Sequence, residues 1–187
     1  LIKGPLEKWL EMDLPDDLDK DARVMLRNSE RLLFLVDQLL SLSKVDSGSF
    51  KINPQYADIS LALRGIANFF SHIIKEKSID YYIAIDATEK DWVDLHIIEI
   101  IVTNLLSNAL KFTPKNGSIS LIGEKHKDGY IVKVANSGER LTSDELSQIF
   151  DRFYTKEGSH YTSTGVGLSL VKELCSLYNA RLSVEYN

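Results

Sequence analysis

Along the first 46 residues the apolar positions fall at helical spacing throughout. Ile2, Leu6, Trp9 and Leu10 make a short amphipathic stretch that ends near DLPDD. A second helix is predicted from about Asp17 to Val45, in which Leu26, Leu33 and Leu40 recur every seven residues. Leu32 with Leu39, and Leu35 with Leu42, repeat on adjoining lines. So wide a stripe is more than one neighbouring helix covers, and two helices alone cannot bury it. Dimerisation of this 1–46 hairpin into a four-helix bundle is the simplest solution.

After Ser47, Gly48 and Ser49 the pattern changes to alternating strands and helices. Residues 50–54 read as a short strand, and Asp58 as the N-cap of a helix carrying Leu61, Leu63, Ile66, Phe69, Phe70 and Ile73. YYIAI (81–85) is aromatic and β-branched, hence a strand. The strongly apolar segment DWVDLHIIEIIVTNLLSNALKF reads as a helix stopped by Pro114 and the turn 115–117. SISLIGEKH and GYIVKVAN form a hairpin through residues 127–129. SDELSQIFDRF is a short helix capped by Thr142 or Ser143; a polar loop leads to the helix GVGLSLVKELCSLY, and RLSVEY closes as a strand. The order βαβαββααβ predicts an α+β fold for residues 47–187: a two-layer sandwich, mixed sheet on one side and helices on the other.

Composition narrows the partners. With 22 Lys and Arg against 27 Asp and Glu the formal charge is −5, with no basic block. Nucleic acid and anionic lipid are therefore poor candidates. No apolar run approaches the roughly 20 residues that span a bilayer; the longest, 95–110, is interrupted by Glu99, Asn104 and Asn108. The single cysteine, Cys175, lies among Leu170, Val171, Leu174 and Leu177, which suits a core thiol in a reducing compartment.

Three features stand apart from the packing pattern. Asn104, Asn108 and Lys111 lie at i, i+4 and i+7 on one helix face. Amide oxygens suit a hard cation such as Mg²⁺, and an ammonium suits phosphate. The same spacing also suits amides that cap a neighbouring loop, and spacing alone does not choose. In VANSGERL (134–141), Asn136 sits where a strand exits into a turn with Gly138. It could accept a hydrogen bond from a base amino group, although Asn and Gly are also the ordinary residues of such a turn. In STGVGLSLV (163–171), Gly165 and Gly167 flank Val166 just before an apolar helix. Glycine-exposed amides at a helix start are a common phosphate seat, yet a lone GxG is weak.

Taken in order, NLLSNALKFTP, VANSGERL, IFDRFY and STGVGLSLV resemble the asparagine, first glycine, phenylalanine and second glycine boxes of sensor histidine kinases. These kinases belong to the wider superfamily that includes Hsp90, DNA gyrase B and MutL. The preceding hairpin resembles their dimerisation and phosphotransfer region, and LVDQLLSLSKVDSG with IFDRFY resembles hybrid two-component kinases in particular. The resemblance implies that ATP and Mg²⁺ bind the α/β domain, with Asn108 on the metal and Asn104 supporting it one turn earlier. It implies further that Lys111 contacts phosphate and Phe112 packs on the adenine. Asn136 takes the position of the adenine-reading acid, and Gly138 forms the turn beneath the base. Phe150 and Phe153 would anchor a lid over roughly residues 154–164, or simply pack in the core. Gly165, Val166, Gly167 and Leu168 would bring backbone amides to the phosphates. The implied reaction moves the γ-phosphate to a histidine and on to an aspartate of a response regulator. The implied setting is a homodimer in the cytoplasmic portion of an inner-membrane-anchored sensor.

Where the family has Asp, this chain has Asn136; where the family's first glycine box has its second glycine, it has Arg140. Both changes predict adenine binding that is retained but weakened, with Arg140 reaching either the nucleotide or an acidic residue such as Glu157. The histidines, His72, His96, His126 and His160, all lie outside the hairpin and read as structural or exposed. The phosphoacceptor is therefore expected upstream of Leu1.

Overall fold

The computed structural model describes residues 2–186 other than 13, 89, 128 and 157–163. The chain divides into two compact units, Leu1–Ser49 and Phe50–Asn187. In the first, α1 (Lys3–Leu10) packs on α2 (Asp16–Asp46) and buries Leu6 and Ala22. Much of the leucine stripe stays on the outside of this hairpin: Leu32 is 62% exposed and Leu40 54%.

In the second unit, β1 (Gln55–Ala57) is followed by α3 (Ile59–Glu76), β2 (Asp80–Ile85), β3 (Asp91–Val93) and α4 (Leu95–Phe112). Then come β4 (Ser118–His126), β5 (Gly129–Asn136), α5 (Ser143–Gln148) and α6 (Gly167–Leu177). The main sheet has the order β2-β4-β5, parallel between β2 and β4 and antiparallel between β4 and β5. Its buried face presents Ile85, Ile119 and Leu121 to the helical layer, where Leu63, Phe70 and Ile74 of α3 meet Val102, Leu106 and Ala109 of α4. The fold is thus the expected α+β sandwich with a mixed sheet.

Helix starts follow their capping chemistry. The Asp58 carboxylate accepts from the backbone amides of Ser60 and Leu61, Asp94 caps α4 through His96 and Ile97, and Thr142 with Glu145 forms a reciprocal capping box on α5. Hydrogen bonds from Thr88 and Ser60 hold the Asp58 carboxyl down at about 2.

Several elements differ from the sequence expectation. The first strand of this unit begins after Pro54 rather than before it, since proline has no N–H to donate to a ladder. Its partner, Asp91–Val93, lies in the stretch read as the start of a helix; Asp94, not the apolar run, marks where α4 begins. The helix at SDELSQ ends at Gln148, and Phe153 beyond it takes a left-handed conformation (φ 63°). RLSVEY is irregular. Alternation of side chains makes a strand only when the backbone finds a ladder, and among the described residues no ladder includes 181–186.

α4 is the one helix among the described residues long and apolar enough to cross a membrane by length and composition. It contributes Val102, Leu106 and Ala109 to the core cluster and packs against α3, α6 and β5. Burial of Cys175 in α6 raises its thiol pKa, as suits a packed rather than reactive thiol.

Candidate nucleotide site

The polar stripe on α4 has unequal members. Asn104 is buried (3% exposed), and its Nδ2 donates to the carbonyl of Ile100 at 2.8 Å, so the helix backbone fixes the amide's orientation. Asn108, one turn on, is only partly buried. The Lys111 ammonium is shielded from solvent and lies 4.6 Å from the centroid of the Phe112 ring. Phe112 itself is 41% exposed at the end of the helix. Thr113 closes the helix by donating to Ala109, just ahead of Pro114.

The second motif meets the end of this helix. Asn136 is the last residue of β5, in register with Ile119 of β4. The Ser137 amide donates to Ser118 O at 2.9 Å, and the Ser137 hydroxyl accepts from Ser118 N at 2.8 Å, so the turn is tied to β4 in both directions. A side chain at Gly138 would bring its Cβ to 2.9 Å from the Phe112 carbonyl oxygen. Glycine is needed there because the turn lies against α4, and that contact joins the first two motifs. The exposed Asn136 amide donates from Nδ2 to the Ser137 carbonyl at 3.0 Å.

The third and fourth motifs meet each other in the same way. The Phe153 amide donates to Gly165 O at 3.0 Å, with both residues at positive φ (63° and 67°). A Cβ at Gly165 would sit 2.4 Å from the Phe153 carbonyl carbon, a distance no side chain tolerates. Val166 is fully buried and precedes α6, whose first residue is Gly167, followed by the partly buried Leu168. Unlike α3, α4 and α5, this helix has no side-chain cap at its start among the described residues. Uncapped first-turn amides carry the positive end of the helix dipole and suit an anion. α6 packs on α4.

Of the two aromatic residues proposed as lid anchors, Phe150 is partly buried and Phe153 is 66% exposed. Most of the lid segment, with Glu157 and His160, lies outside the described residues. Arg140 makes a different contact from the two considered: its guanidinium carbon lies 5.1 Å from the ring centroid of Tyr186. His72 pairs with Glu76 at 3.5 Å on the surface of α3, while His96 opens α4 and His126 ends β4.

Two further residues bear on this region. Lys156 bridges Glu139 (2.9 Å) and Glu145 (3.2 Å), and those carboxylates raise its pKa, Glu139 foremost. Tyr186 donates its hydroxyl to Leu141 O at 3.3 Å. Neither residue belongs to a motif; each is far in sequence from the loop it holds, and only the fold brings them there.

The donor chemistry fits a magnesium nucleotide. Amide oxygens are hard ligands, and among the described residues no three His, Cys, Asp or Glu side chains gather to form a protein cage. Magnesium bound here would take most of its ligands from phosphate and water, as that ion prefers. The glycines at 138 and 165 lie where a side chain would collide with backbone, and among the described residues no side chain caps the first-turn amides of α6.

Comparison with known proteins identifies the family. The family described as histidine kinase-, DNA gyrase B-, and HSP90-like ATPase matches residues 93–187, and the chain belongs to it. Hybrid signal transduction histidine kinase D of Dictyostelium discoideum is 32% identical over 195 residues, covering 98% of this chain and 12% of that protein. The fold is shared with full-length ShkA in complex with AMPPNP (TM-score 0.73, 23% identity, 94% of this chain and 37% of that one). It is shared also with histidine kinase ThkA in complex with the response regulator protein TrrA (TM-score 0.62, 22% identity, 96% and 50%). The chain spans 12% to 20% of the length of three curated histidine-kinase relatives.

Proposed function

We propose that this chain is the ATP-binding catalytic core of a sensor histidine kinase, passing the γ-phosphate of ATP to a histidine upstream of Leu1 and thence to a response-regulator aspartate. The observation that carries the reading is the contact of Gly138 with the Phe112 carbonyl. It sets the base-reading turn of β5 against the end of the helix that bears Asn104, Asn108 and Lys111.

In this reading Asn136 presents its amide oxygen to the adenine amino group. A carbonyl only accepts, so the atom facing Ser137 O must be Nδ2, which leaves Oδ1 for the base. Phe112 offers an exposed ring beside it. Lys111 neutralises phosphate charge, the α6 amides between Val166 and Leu168 hold phosphate oxygens, and Asn104 supports the stripe from within the helix. Asn108 is the residue that would hold magnesium, which when bound supplies charge neutralisation across the phosphates. Catalysis of this kind rests on positioning and charge rather than a general base. The hairpin dimerises, and a receiver domain, separate or fused, is the partner. The wider protein places this portion in the cytoplasm beneath a membrane-anchored sensor.

Arg140 and Asn136 favour a second reading, a degenerate module that dimerises or regulates without turnover. One experiment separates them. The chain with its upstream residues restored is incubated with γ-labelled ATP. Acid-labile, base-stable label that disappears on mutating the restored histidine, and falls at least about tenfold in Asn108→Ala, supports the kinase. Nucleotide binding with no label supports the degenerate module.

A further inference from the structure

The turn that follows Asn136 is held from both sides. On one flank Glu139 is paired to Lys156, which also binds Glu145 in the capping box of α5. On the other, Tyr186 takes the Arg140 guanidinium on its ring and donates its hydroxyl to the next carbonyl, that of Leu141. Arg140 is an exposed residue of this turn, two positions after Gly138. A long side chain there would ordinarily be free to pull the turn in several directions. Here the ring of a residue 46 positions later in the chain receives it.

Resting on the nucleotide-site reading above, we infer that Tyr186 is a positioning residue for the base. By clasping Arg140 and Leu141 it fixes the turn through Gly138, and so the angle at which Asn136 meets the exocyclic amino group. Two independent contacts converge on successive residues of one turn, whereas a tyrosine serving only as surface cover needs neither. The clasp acts at the base end of the site. Lys111 and the α6 amides lie on other elements and should not feel its loss.

The test measures dissociation constants of ATP and of inosine triphosphate, which has a keto group in place of the amino group, together with inhibition by tripolyphosphate. The full 187-residue chain is used as wild type, Tyr186→Ala, Tyr186→Phe, Arg140→Ala and the Tyr186→Ala/Arg140→Ala double variant. ATP binding is expected to weaken about three- to tenfold in Tyr186→Ala and in Arg140→Ala, the scale of one cation–π contact with a hydrogen bond. The double variant should be no worse than the weaker single. Tyr186→Phe keeps the ring and should lose about twofold or less. The preference for ATP over the inosine nucleotide should fall in Tyr186→Ala, while tripolyphosphate binding stays unchanged. Equal loss of both nucleotides and of tripolyphosphate would mean general destabilisation and overturn the inference, as would single-variant effects that multiply in the double variant. Unchanged ATP binding in Tyr186→Ala would overturn it alone, whereas a wild-type chain that binds no nucleotide would overturn the underlying site as well.

Discussion

At Asn136 the proposed contact with the base turns on one atom. Its Nδ2 is committed to Ser137 O at 3.0 Å, so Oδ1 is the acceptor left for a base. A carboxylate there would give up that bond, turn away from the carbonyl and accept with a charged oxygen. What the amide lacks is charge, and charge-assisted hydrogen bonds are roughly twice as strong as neutral ones. Asn136→Asp should therefore tighten Mg-ATP binding by about fivefold in isothermal titration, about 1 kcal/mol, and leave tripolyphosphate binding as it was. If wild type binds more tightly than the Asp variant, the acceptor geometry assigned to Asn136 is wrong. Gly165 makes a similar point about backbone. Its positive φ and the 2.4 Å approach to Phe153 make it irreplaceable for the path of the chain, whatever ligand its amide meets.

At the scale of elements, the helix caps couple stability to pH. Thr88 and Ser60 donate to the same Asp58 oxygen, at 2.6 Å and 2.7 Å, and lower the carboxyl from 3.8 to about 2. A depressed carboxyl stabilises the folded unit fully above the unfolded value, near pH 4, and loses that contribution as pH falls toward 2. Thermal melts of residues 50–187 should accordingly show a midpoint falling between pH 4 and pH 2, with a shallower slope in Asp58→Asn, which still caps but does not titrate; an unaltered slope would show that other carboxylates govern the transition. Asp58 was legible from the sequence because capping is local, within three residues of the amides it serves, whereas at α5 Thr142 and Ser143 stood equal until the structure chose Thr142. The β1–β3 pair was not, because its register joins Gln55 to Val93 and a three-residue strand carries no periodicity to read. The motif residues of the candidate site could likewise be named in advance, each within a short word of sequence. Lys156 and Tyr186 could not, since their meaning depends on which loop the fold lays beside them.

At the scale of the whole molecule, the two units carry different debts to solvent. The second has a closed core in which Leu63, Ile74, Leu106 and Leu121 are completely buried. The first is a hairpin whose longer helix leaves Leu32, Leu33, Val36, Leu39 and Leu40 between 45% and 62% exposed. Contiguous apolar exposure of that kind marks an interface, and the shared face of α2 suits a second copy of the same hairpin. Separation of the units should therefore separate two properties. The 187-residue chain should sediment as a dimer at micromolar concentration and residues 50–187 as a monomer. Leu33→Glu with Leu40→Glu should turn the full chain monomeric, because two charges per protomer would then have to be desolvated in the bundle. Both monomers should bind Mg-ATP with the affinity of the dimer, since every residue assigned to the nucleotide lies between Asn104 and Leu168 in the second unit. Affinity that falls along with dimerisation would mean that the hairpin contributes to the nucleotide site itself. A full chain that stays monomeric at high concentration would show that the leucine face serves a different partner.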